Sequence, residues 1–150
     1  PIRHCPSHRE PDALKAKGGQ THHTAPTPDS AGYYLSPTLI TGVAPEETLE
    51  EIFGPVATVH SFKTDEEAVK LANQTPYGLG GYVFSKDEDH ALKVARQMNT
   101  GGVKVNGVSL LELNVDAPRP AWGLSGFGEE GTLETFDVFC GKSIVGVAGK

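Results

Sequence analysis

Residues 81–105 read GYVFSKDEDHALKVARQMNTGGVKV, and this stretch decides the fold. Gly81-Tyr82-Val83-Phe84, aromatic and β-branched, reads as a short strand. Ser85-Lys86-Asp87-Glu88 has capping-box spacing and opens a helix through Met98, with Ala91, Leu92, Ala95 and Met98 as its inner stripe. Gly101-Gly102 stop the helix, and Val103-Lys104-Val105 begin another strand. On the N-terminal side, Thr75 to Gly81 is rich in turn residues. Thr64-Asp65-Glu66-Glu67 forms a second capping box ahead of Ala68, Leu71 and Ala72, and Pro55 to Phe62 carries Val56, Val59 and Phe62 as a strand. The order β-α-β-α-β with short links predicts an α/β fold built on a parallel sheet. Ligands gather beyond the carboxyl ends of such strands, which directs attention to the loops after Phe84 and Val105.

Further out the pattern weakens. Tyr33 to Ile40 contains Pro37, which predicts an edge strand or extended arm. Residues 1–31 read as a polar, irregular leader in which only Pro11 to Lys17 has helical character. Beyond Val105, Val108 to Trp122 is a long loop with Pro118 and Pro120, and Glu129 to Phe136 reads as a short helix with acids at its N-terminus. Asp137 to Val147 carries Val138, Phe139, Cys140, Ile144, Val145 and Val147, apolar residues at both odd and even positions and so on both faces of a strand. A terminal strand of that kind is a poor free edge, so the expectation is cover by another subunit's sheet. The expected division is a leader over 1–31, the main α/β portion over 32–124, a short helix over 125–136 and an oligomerisation strand over 137–150.

Composition narrows the classes of function. The 150 residues carry a formal charge of -6, and no Lys/Arg cluster is dense enough to track phosphates, so nucleic acid is not an expected partner. No apolar run is long enough for a membrane helix, and Pro1-Ile2-Arg3-His4 begins no secretory segment. Two cysteines far apart make no disulfide framework, which favours a reducing cytoplasm.

Glu50-Glu51-Ile52-Phe53-Gly54-Pro55-Val56 resembles the cofactor-contacting signature of the NAD(P)-dependent aldehyde dehydrogenases. The likeness continues in order. Gly32-Tyr33-Tyr34 and Pro37-Thr38-Leu39 precede the signature. Ala72-Asn73, Tyr77-Gly78-Leu79 and Val83-Phe84-Ser85-Lys86-Asp87 follow it, and then come Gly102-Val103, Val105-Asn106 and Ser125-Gly126-Phe127-Gly128. The resemblance implies that Glu51 accepts hydrogen bonds from the nicotinamide ribose hydroxyls of NAD or NADP. A carboxylate suits this because its two oxygens take two donors, in the stronger, charge-assisted kind of bond. It implies that Phe53 packs beside the same ribose, while Glu50 stays solvated. Local chemistry alone would make Glu51 a helix-end acid and Phe53 a core aromatic. The resemblance further places Asn106 at the mouth of the aldehyde tunnel, with Val108, Leu110, Leu111 and Trp122 as candidates for its rim.

Two departures from the family pattern stand out. Pro120-Ala121-Trp122-Gly123-Leu124-Ser125-Gly126 replaces the usual P-F-G-G-x-K-x-S-G, losing the Gly-Gly pair and the Lys. The family reaction also needs a cysteine thiolate that captures the aldehyde as a thiohemiacetal, and a glutamate that activates water to release the carboxylic acid. Neither Cys5, in Arg3-His4-Cys5-Pro6, nor Cys140 has the Gly-Gln-x-Cys context. The family cysteine lies well over fifty residues before the signature, whereas only fifty residues precede Glu51. The expectation is a C-terminal segment of an aldehyde dehydrogenase, with no catalytic residue of its own and inactive by itself. It would assemble as a homo-oligomer through residues 137–150. Two other readings are a stand-alone, non-catalytic interaction module, and a metal site built from His4, Cys5, His8, His22 and His23, whose spacing matches no familiar zinc motif.

Overall fold

The computed structural model describes residues 10–23, 25–26, 34–108, 117–131 and 134–147. The chain forms two compact units, Pro1–Thr75 and Pro76–Lys150. Both are mixed α/β.

In the first unit, helix α1 (Glu10–Ala16) leads into strand β1 (Gln20–His23). Strand β1 pairs antiparallel with β2 (Thr38–Thr41), and β2 pairs parallel with β3 (Val56–Val59), giving the order β1-β2-β3. Leu14 of α1 is buried with Ile40 of β2 and Val43, and Ile52 and Val56 pack against this cluster. Two expectations fail here. The 1–31 stretch holds a strand, because Thr21 and the two histidines find partners across the ladder that their polarity did not advertise. Strand β2 is central, not an edge. Pro37 stands just outside the ladder, so its missing N–H costs nothing, while the Thr38 N–H donates to Pro55 O at 2.8 Å.

A 3₁₀ turn at Pro45–Thr48 and an irregular segment connect β2 to β3, and helix α2 (Asp65–Ala72) follows. Its cap is as expected on one side, since Thr64 Oγ1 accepts the Glu67 N–H. The Glu67 carboxylate reaches back to the N–H of Lys63 rather than to that of Thr64. Asp65, Glu66 and Glu67 all sit in the first turn, where the helix dipole favours negative charge.

The second unit is centred on β5 (Gly80–Val83), α3 (Glu88–Ala95) and β6 (Gly102–Val105), with β5 and β6 parallel. Ala91 and Ala95 of α3 are its buried apolar side chains. The cap of α3 falls two residues beyond the expected Ser85. Asp87 accepts the His90 N–H, and Ser85 Oγ accepts the Asp87 N–H, so a short polar turn precedes the helix proper. The helix also ends at Ala95, short of Met98. Parallel pairing therefore occurs as expected, but in two separate sheets, with β3 held by β2 and β5 held by β6.

Strand β4 (Tyr77–Gly78) pairs antiparallel with β8 (Trp122–Gly123), and β7 (Arg119–Pro120) with β9 (Glu129–Glu130). Gly101 lies so close to Pro120 that a Cβ there would collide with its carbonyl oxygen, so no other residue fits. Helix α4 (Glu134–Phe139) starts later than the helix expected over 129–136. Gly131, at a φ of 89° against the Arg119 guanidinium, separates the β9 pair from the helix. The expected strand over 137–147 is absent among the described residues. Asp137 and Phe139 belong to α4, and 141–147 form no ladder, since no neighbouring strand satisfies their backbone groups.

Candidate functional site

The segment 49–55 has no regular structure and leaves the 3₁₀ turn to enter β3. Ile52 packs against the Leu14–Ile40–Val43 cluster, while Glu51 and Phe53 on either side of it are exposed, Phe53 to 80%. Phe53 is thus no core aromatic among the described residues, while Glu51 stands two residues beyond Leu49, the C-cap of the 3₁₀ turn. Glu50 is exposed as expected. The ends of the segment are tied by a contact that sequence reading missed. Thr48 Oγ1 donates to Pro45 O at 2.9 Å and lies 3.1 Å from His60 Nε2. Two polar residues twelve positions apart carry no periodic signal, and only the return of β3 beside the turn brings them together.

The remaining candidates belong to the second unit. Asn106 follows β6 with a φ of 54°, in the left-handed region. Its N–H donates to Val83 O and its side-chain oxygen accepts the Ser85 N–H. Val108 is 69% exposed and Trp122, in β8, 49% exposed. Leu110 and Leu111 lie outside the described residues. Gly78 gathers the Trp122 loop: its N–H donates to Ser125 Oγ, its carbonyl accepts the Gly101 N–H, and it pairs with Trp122. Glu51 and Phe53 thus sit in one unit, and Asn106, Val108 and Trp122 in the other.

Among the described residues, no group of three or more His, Cys, Asp and Glu could hold a metal ion. His22 and His23 are hydrogen-bonded to the hydroxyls of Thr41 and Thr38, while His4, Cys5 and His8 lie outside the described residues. Cys140 is exposed beyond α4 rather than set inside a strand. No helix among the described residues is long and apolar enough to cross a membrane.

Residues 8–145 match the sequence model described as the aldehyde dehydrogenase family. The chain belongs to the aldehyde dehydrogenase family. It is 43% identical over 127 residues to an aldehyde dehydrogenase 1 of Tanacetum cinerariifolium, covering 83% of this chain and 25% of that protein. It is 43% identical over 105 residues to the NADP(+) succinate-semialdehyde dehydrogenase of Deinococcus radiodurans, covering 69% of this chain and 22% of that one. Among solved structures, a variant betaine aldehyde dehydrogenase of Staphylococcus aureus in complex with NAD+ superposes with a TM-score of 0.79 at 33% identity. That superposition covers 93% of this chain and 29% of the other. The chain therefore spans about a quarter of the length of these aldehyde dehydrogenases.

Proposed function

We propose that this chain is the C-terminal segment of an NAD(P)-dependent aldehyde dehydrogenase that supplies one wall of the nicotinamide site. The observation that carries the reading is the presentation of Glu51 and Phe53 to solvent on either side of the anchored Ile52. A phenyl ring and a carboxylate two positions apart are thereby left accessible to a ligand. The pair fits a ribose: the Glu51 carboxylate accepts its two hydroxyls, and the Phe53 ring lies against its less polar face. The chemistry supplied by a bound nicotinamide is acceptance of hydride from the aldehyde carbon. Glu51 and Phe53 would fix the ring's position and exclude water from one side of it. The thiolate and the water-activating carboxylate would come from a preceding part of the polypeptide, so the chain by itself is inactive.

In this reading Val108, Leu110, Leu111 and Trp122 border the aldehyde tunnel, and residues 137–150 form the contact between subunits of a cytoplasmic homo-oligomer. The exposed Ile144, Val145 and Val147 support that contact. The relatives' names carry different aldehydes, betaine aldehyde and succinate semialdehyde among them, and the substrate class common to them is the aldehyde.

In the enzyme carrying this segment, Glu51→Gln should slow hydride transfer about tenfold and leave aldehyde capture unchanged, since one charge-assisted bond is lost. Unchanged turnover would remove the ribose contact. In the gene, the frame upstream of Pro1 should encode a Gly-Gln-x-Cys motif; a start signal directly before Pro1 would instead favour a stand-alone, non-catalytic module.

A further inference from the structure

The irregular segment 49–55 is held at three places. Ile52 fixes its middle to the Leu14–Ile40–Val43 cluster. The Thr38 N–H, donated to Pro55 O, starts the β2–β3 ladder at its far end. The third hold is Thr48 against His60. A threonine hydroxyl has a single hydrogen, and a carbonyl oxygen can only accept. With the Thr48 Oγ1 hydrogen given to Pro45 O, which can only accept, Oγ1 acts as acceptor toward His60 and Nε2 carries the ring proton. The contact therefore selects one histidine tautomer. It also bridges the last residue of the 3₁₀ turn and the residue directly after β3, which closes a loop around Glu51 and Phe53.

We infer that Thr48 and His60 are positioning residues that set the exit direction of the Glu51–Phe53 wall through this hydrogen bond. The inference rests on the ribose reading of Glu51 and Phe53 for its effect on catalysis, but not for the bond itself. Without the bond, the turn and the strand end can separate while Ile52 stays seated, so both exposed side chains swing about their anchor. The consequence falls on cofactor binding and leaves aldehyde capture untouched.

The bond is tested first in the 150-residue chain. Nitrogen-15 NMR of the His60 ring should give the Nε2-protonated tautomer, and a dominant Nδ1-protonated form overturns the inference. Thr48→Val should speed exchange of the hydrogen-bonded amides that flank the segment, Glu47 and Val56, about fivefold, the worth of one neutral hydrogen bond, while Thr48→Ser, which keeps the hydroxyl, restores slow exchange. Equal exchange in all three proteins overturns it. In the enzyme carrying the segment, Thr48→Val and His60→Leu should raise KM for the nicotinamide cofactor about fivefold and slow hydride transfer with aldehyde capture unchanged, and Thr48→Ser should rescue both. A Glu51→Gln defect without a Thr48→Val defect overturns the positioning role alone. Indifference to Glu51→Gln overturns the ribose reading, and amide exchange in the chain then decides for or against the clamp by itself.

Discussion

The side-chain oxygen of Asn106 accepts the backbone N–H of Ser85 at 2.9 Å, joining the loop after β6 to the loop after β5. Both loops leave the carboxyl ends of a parallel pair, and the residue that bridges them adopts a φ of 54°. Asparagine tolerates that region better than other non-glycine residues. Asn106→Ala should therefore cost about 1–2 kcal/mol, from backbone strain plus the lost bond. Asn106→Gly relieves the strain and should cost roughly half as much. Urea denaturation of the three proteins orders them, and equal midpoints would contradict the bond.

Gly101 and Gly102 are adjacent but not equivalent. A Cβ on Gly101 meets the Pro120 carbonyl, while one on Gly102 meets nothing within 4 Å. Gly101→Ala should lower stability by about 2 kcal/mol or more by forcing the backbone of β7 aside, and Gly102→Ala by under about 0.5 kcal/mol. Thermal unfolding of both variants measures the contrast.

The position of the α3 cap is open to direct test. Asp87→Ala should cost about 1 kcal/mol, because it strips the acceptor from the His90 N–H. Ser85→Ala should cost less, since Ser85 serves only the turn before the helix. The reverse order in chemical denaturation would return the cap to Ser85.

Ile144 is 97% exposed and touches little of its own chain. Ile144→Lys should leave the unfolding midpoint of the chain in place yet weaken subunit association of the enzyme carrying it by about tenfold or more, the worth of burying one Ile side chain. Sedimentation velocity over a dilution series reads the association, and an unshifted dimer–monomer balance would show that this tail is not the contact.

Helices α2 and α3 were legible because capping-box patterns at Thr64 and Ser85 stand ahead of acid-rich first turns and apolar 3.6-residue stripes, although the cap of α3 itself falls on Asp87. Strands β5 and β6 were legible from local pattern as well, flanked by turn glycines. Strand β1 was not. Gln20-Thr21-His22-His23 has no apolar alternation, and its stability comes from the ladder with β2 and from hydroxyl–imidazole bonds that exist only after pairing. The tail failed in the opposite direction, for Val138 to Val147 has strand chemistry but lacks a second strand within the described residues. In the candidate site, Glu51 and Phe53 could be singled out by their neighbours in sequence, whereas the Thr48–His60 bond depends on where β3 returns.

The β5–α3–β6 arrangement has a consequence for how the polypeptide acquires its shape. Every pairing that closes it joins residues between 80 and 105, so little chain entropy is lost before the first contacts form. The β4–β8 pair instead joins Tyr77 to Gly123 and must wait for the intervening loop to close. The crossover should therefore form before the β4–β8 pair, and amide protection at Tyr77 arising ahead of that at Tyr82 during refolding would contradict this order. A slow or mistaken step in the second unit's maturation should trace to the Trp122 segment, which must be recruited across the 47 positions that separate Gly78 from Ser125.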